Sequence, residues 1–101
     1  MQTDLPVRLY KGDTMYIYGR VLQVMPSGNT VALRVGTTGY GYSSVFYVTY
    51  STRDISISLI DDDYIYVYGK CNGVYTYTSV LGASITVPWI EAEKIVMSRN
   101  Y

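Results

Sequence analysis

Thirteen tyrosines stand against one phenylalanine and one tryptophan in this 101-residue chain, and there is no histidine. That palette narrows the chemistry. The commonest general base and the commonest metal ligand are both missing. Asp61-Asp62-Asp63 lacks the alternating ligands and distal glutamate of a calcium loop, and reads as a solvated turn. Gly36-Thr37-Thr38-Gly39-Tyr40-Gly41 lacks the Lys-Ser/Thr that would make it a phosphate cradle. Glu91 and Glu93 could pair as glycosidase carboxylates, but on an exposed strand they more simply keep the surface soluble. Cys71 reads as a small packing residue. Nothing sets Ser, Lys and Asp in a nucleophile–base relationship. The chain is therefore expected to be no enzyme, with no catalytic, cofactor-binding or metal site. The chemistry left is recognition. Tyrosine joins a large apolar ring to a polar tip. Arginine among such rings suits nucleic-acid bases, through stacking and cation–π contact, and equally suits protein hot spots. The candidates fall into two groups: Arg34 with Tyr40, Tyr42, Tyr47, Tyr75 and Tyr77, and the alternating Tyr16, Tyr18, Tyr66 and Tyr68.

The second group belongs to a pattern written twice. Asp13-Thr14-Met15-Tyr16-Ile17-Tyr18-Gly19-Arg20 returns as Asp63-Tyr64-Ile65-Tyr66-Val67-Tyr68-Gly69-Lys70. Each copy alternates apolar residues with tyrosines, which on a strand puts the two kinds on opposite faces. Each then meets a glycine, the mark of a bulge, a bend or a close backbone approach.

The remaining elements follow from the same periodicity. A first strand is expected over about Met15–Met25, with its facing shifted after Gly19. Pro26-Ser27-Gly28-Asn29 is a hairpin turn. The second strand, about Thr30–Val35, points Val31, Leu33 and Val35 inward and Thr30, Ala32 and Arg34 outward. Residues 36–44 read as a long mobile loop. The third strand, Val45–Tyr50, places Phe46 and Val48 inside and Tyr47 and Thr49 outside, although the reverse is open. Residues 51–60 read as an extended cover over one end of the core, with room for one helical turn. The fourth strand runs from Tyr64 to about Lys70. Asn72-Gly73 is a turn signal, Val74–Thr78 a further extended stretch, and residues 81–84 another turn. The last strand is Ile85–Met97, kinked at Pro88. Five main strands without a long helix predict a sandwich or small barrel, and two glycine-bent strands favour the barrel.

The length predicts one domain, 1–101, with its core over about 10–97. No stretch reads as a signal peptide or a membrane span, so a cytoplasmic setting is expected, or an extracellular one if a leader has been removed. Eight basic and eight acidic residues leave no net charge. That balance counts against a protein held to nucleic acid mainly by phosphates.

The run from Val67 to Pro88, the tail Trp89–Ile95 and the opening Lys11–Val24 together resemble an OB-like domain of small Gram-positive cell-surface proteins and lipoproteins and their phages. The resemblance implies an all-β, five-stranded OB-like barrel, here with a reduced or absent helix between strands three and four. It implies a ligand face on strands two and three, framed by the loops after strands one and four, which would gather the Arg34 group. It also makes the two tyrosine strands neighbours, so that their rings form a cross-strand ladder. Such a ladder serves the sheet first, and otherwise offers a stacking platform or a sticky patch. The expected function is a binding module that docks on a macromolecule. With no net charge, protein is favoured over nucleic acid, for example as a phage-encoded, anti-CRISPR-type inhibitor of a bacterial nucleic-acid enzyme. The alternative is a single-stranded nucleic-acid binder that uses aromatic stacking. Either a monomer or a homodimer fits.

Overall fold

The computed structural model describes residues 12–39 and 42–98. Five strands appear in order: β1 (Thr14–Ser27), β2 (Thr30–Gly39), β3 (Tyr42–Ser51), β4 (Tyr64–Thr78) and β5 (Ser84–Met97). They close into a barrel in the order β1-β2-β3-β5-β4, with β4 returning to β1. All contacts are antiparallel except the short parallel pairing of β3 with β5. This is the expected all-β, OB-like barrel, and no helix occurs among the described residues.

Alternation fills the interior as anticipated. Val31, Leu33 and Val35 are buried from β2, Val48 from β3, Ile65 and Val67 from β4, and Ile90 from β5, while Phe46 packs partly buried against them. In place of a helix, residues 52–54 form one turn, with the amides of Asp54 and Ile55 donating to the Ser51 carbonyl, and residues 55–60 follow as irregular chain. Ile55 and Leu59 from this segment are buried against the core, so it covers one end of the barrel.

The paired glycines solve a contact problem. A Cβ on Gly19 would lie 2.5 Å from the Gly36 carbonyl oxygen, and one on Gly69 would lie 2.1 Å from that of Glu91. At both places a strand coils so tightly over its neighbour that only a bare Cα fits. The change of facing in β1 occurs not at Gly19 but at Leu22, the extra residue between the Val21 and Gln23 pairings. Val21, like Ile17, is still buried. This bulge is where β1 passes from β4 to β2. The Asp61–Asp63 turn fastens it: Asp62 N–H donates to Val21 O, and Val21 N–H donates to Asp63 O, both at 2.7 Å.

Two other expectations are corrected. Residues 36–39 and 42–44 are strand, not loop. β2 and β3 continue as a ribbon, with Gly36 facing Val45, Thr37 facing Ser44 and Gly39 facing Tyr42. Threonines suit such a ribbon, and backbone pairing satisfies groups a loop would leave to water. Asn72-Gly73 is not a turn but a bulge inside one continuous β4, since Cys71 faces Ile90 and Val74 faces Pro88. The positive φ of Gly73, 88°, serves a bulge as well as a hairpin.

Candidate functional site

One row of side chains crosses the outside of four strands. Gln23 of β1 faces Arg34 of β2, Arg34 faces Tyr47 of β3, and Tyr47 faces Trp89 of β5. Inward alternation of Leu33 and Val48 forces Arg34 and Tyr47 outward. The far half of β4 adds Tyr75 and Tyr77, because the bulge at residues 72–73 carries β4 on along β5 instead of turning it away. The Tyr47 and Tyr75 rings stack with centroids 3.7 Å apart and planes 5° apart. Trp89 stands edge-on to both, at 5.6 and 6.2 Å. Its indole N–H donates to Thr49 Oγ1 at 2.9 Å, which fixes the ring. Tyr77 lies 6.4 Å beyond Tyr75.

Arg34 closes the cluster. Its guanidinium carbon is 5.4 Å from the Tyr77 ring centroid. Its terminal nitrogens donate to Gln23 Oε1 at 3.3 Å and to the Tyr77 hydroxyl at 3.4 Å, both long. Two of five N–H donors are thus used weakly, and Nε is buried with no partner. A buried guanidinium nitrogen without a protein partner calls for a polar partner, which a ligand or a water can supply. Gln23, Arg34, Tyr47, Tyr75 and Tyr77 line a groove of about 660 Å³, which also takes in Met25, Ala32, Val45 and Val87, while Trp89 braces Tyr47 and Tyr75 from outside that lining. Arg34 is the one charged residue in that lining. Burial, followed by the adjacent Tyr75, holds the Tyr47 phenol above its ordinary pKa.

The structure thus brings together Arg34, Tyr47, Tyr75 and Tyr77 as the sequence suggests. Tyr40 lies outside the described residues, and Tyr42 is placed only as the first residue of β3, opposite Gly39. Trp89, Thr49 and Gln23 are the members that sequence reasoning missed. Trp89 joins through the parallel β3–β5 pairing, which has no local signature. Its only signals were its being the chain's single tryptophan and its place after the strand-kinking Pro88.

The second candidate group is a separate feature. Tyr16 faces Tyr68 and Tyr18 faces Tyr66 across β1 and β4. Their rings interleave with Tyr64 in a ladder at centroid spacings of 4.6–6.0 Å. Lys94 sits 5.8 Å over the Tyr68 ring. Among the described residues no group of three or more metal-ligating side chains comes together, and no helix is long and apolar enough to cross a membrane.

No protein-family model matches the sequence, and no curated protein matches it. Solved structures do share the fold. The mitochondrial single-stranded DNA-binding protein of S. cerevisiae superposes with a TM-score of 0.63 at 13% identity, covering 91% of this chain and 100% of that one. Its selenomethionine form gives 0.62 at the same identity and coverage. The Plasmodium falciparum SSB in complex with ssDNA gives 0.55 at 9% identity, covering 94% and 100%. At these identities the likeness is one of fold.

These matches correct the functional expectation. The solved structures just named are single-stranded DNA-binding proteins, which overturns the preference for a protein partner and for an anti-CRISPR-type inhibitor. The likeness to Gram-positive cell-surface and phage domains gains no support from them. The physical reason lies in the weight given to net charge. A zero total counts against a phosphate-driven binder, but it says little about a site built from ring faces around one local arginine.

Proposed function

We propose that this barrel is a non-enzymatic module that binds single-stranded DNA in the groove across β2, β3 and β5. The observation that carries the reading is the Tyr77–Tyr75–Tyr47–Trp89 aromatic track set around the incompletely bonded guanidinium of Arg34. Bases stack on the ring faces, a contact that tolerates any sequence because every base has a π-face. Arg34 supplies the charge-assisted hydrogen bonds to a phosphate or base edge. The fold shared with the yeast and Plasmodium proteins, one of them in complex with ssDNA, supports the reading.

Trp89 is the chain's one tryptophan and stands edge-on to Tyr47 and Tyr75, so its fluorescence reports changes at those two groove rings. Titration with a single-stranded oligonucleotide is expected to change that emission saturably, and the matching duplex to leave it unchanged. No response to any single strand would overturn the proposal.

A further inference from the structure

A second depression adjoins the groove at Val45. One row further along the outer surface, Tyr64 of β4 faces Arg20 of β1, Arg20 faces Gly36 of β2, and Gly36 faces Val45 of β3. Gly36 contributes no side chain, so this row has a dip. A second cleft of about 320 Å³ opens there, bordered by Leu22, Tyr18, Tyr64 and Arg20. The bulge residue Leu22 reaches into that space, since a Cβ on Gly36 would come within 3.1 Å of its Cδ1. Val45 lines both the groove and this cleft, so the two depressions share a wall. Beyond the cleft lie the Tyr18–Tyr66 and Tyr16–Tyr68 rungs of the ladder. Tyr16 is 54% exposed, and Tyr18, Tyr64 and Tyr68 are exposed as well. Arg20 stands at the near end and Lys94 at the far end.

We propose that the cleft and the tyrosine ladder are a second contact for the same single strand, which leaves the groove over Val45 and runs along β1 and β4. This rests on the groove reading above. Successive rows are two residues apart along a strand, about 6.8 Å, a step one nucleotide of an extended single strand can take. The exposed rings give each step a stacking surface. Arg20 uses a single nitrogen on Asp62, at 2.6 Å, and keeps further N–H donors for a phosphate. Continuity with the groove favours this occupant over a second copy of the chain.

The test compares oligo-deoxythymidines of about six and about sixteen residues, lengths within the range one OB fold spans. Each is titrated against the wild-type chain and against a Tyr18→Thr, Tyr68→Thr double variant. Threonine keeps strand propensity, and thermal unfolding checks the fold. The variant is expected to bind the short oligomer as the wild type does, and the long one at least about tenfold more weakly. The extra binding registers on a longer strand favour both proteins equally, so the variant-to-wild-type ratio is the readout. Equal loss on both lengths, or no loss on the long one, overturns the proposal. So does sedimentation showing a wild-type dimer that the variant disrupts while long-oligomer affinity is retained, since a second copy then covers the ladder. If the double variant does not fold, Arg20→Ala, at an exposed ion pair, takes its place with the same outcomes. Failure of the wild type to bind the short oligomer removes the groove reading itself. Short-oligomer binding without the ratio removes only the ladder.

Discussion

Tyr47 and Tyr75 stack face to face at 3.7 Å although their strands are not neighbours: β5 lies between β3 and β4, and Trp89 of β5 braces both rings from the side. The stack is therefore a product of barrel closure and joins the two halves of the groove. Tyr75→Ala removes the outer ring and leaves the core untouched. Its expected effect is a loss of about 1–3 kcal/mol in single-strand affinity, with the melting temperature nearly unchanged. Titration of the Trp89 signal beside a thermal melt checks both halves.

Gly69→Ala is expected to destabilise the barrel by about 3 kcal/mol, at the upper end of overpacking costs. The new Cβ would meet backbone, the Glu91 carbonyl oxygen, rather than a side chain that can swing away. Gly19→Ala should cost somewhat less, because its closest approach is longer, 2.5 Å against 2.1 Å. Urea unfolding of the two variants beside the wild type gives the ordering.

Alkali should unfold this protein more readily than its neutral net charge suggests. Burial raises the pKa of the Tyr50 phenol, and burial followed by Tyr75 raises that of Tyr47. In the unfolded chain these phenols ionise near the ordinary value of about 10. Between that value and their higher folded values the native state holds more protons, so stability falls as pH rises. Their contribution is intact below about pH 10 and is lost above it. Melting temperature measured from neutral pH to about pH 11 should bend downward over that window. Tyr50→Phe, which removes one of these groups, should soften the bend.

The residues themselves show why part of this was legible in the sequence. Val31, Leu33 and Val35 alternate with outward-facing partners, and alternation is a local property. The same holds for Tyr16, Tyr18, Tyr66 and Tyr68, whose strands share one pattern and do meet. Arg34 and Tyr47 could be placed together because both lie outward on adjacent strands. Asn72-Gly73 could not be read, because a positive-φ glycine serves hairpin and bulge alike, and only the pairing of Val74 with Pro88 decides between them. The paired segments 36–39 and 42–44 carry no apolar alternation to announce them. Trp89 reached the site through a parallel pairing between strands far apart in sequence. The partner was misjudged for a related reason: net charge sums over the whole chain, while recognition depends on where Arg34 and the rings stand.

The central claim is that Arg34 and the aromatic track hold single-stranded DNA chiefly by stacking. The most direct measurement is the anisotropy of a short labelled single strand, titrated with wild type and with Arg34→Ala at several salt concentrations. With Arg34 the one charged residue in the groove lining, log affinity should fall with log salt at a shallow slope of about −0.7. Arg34→Ala should weaken binding by about tenfold or more, and flatten that slope. Absence of saturable binding to any single strand, or affinity unchanged by Arg34→Ala, would contradict the claim.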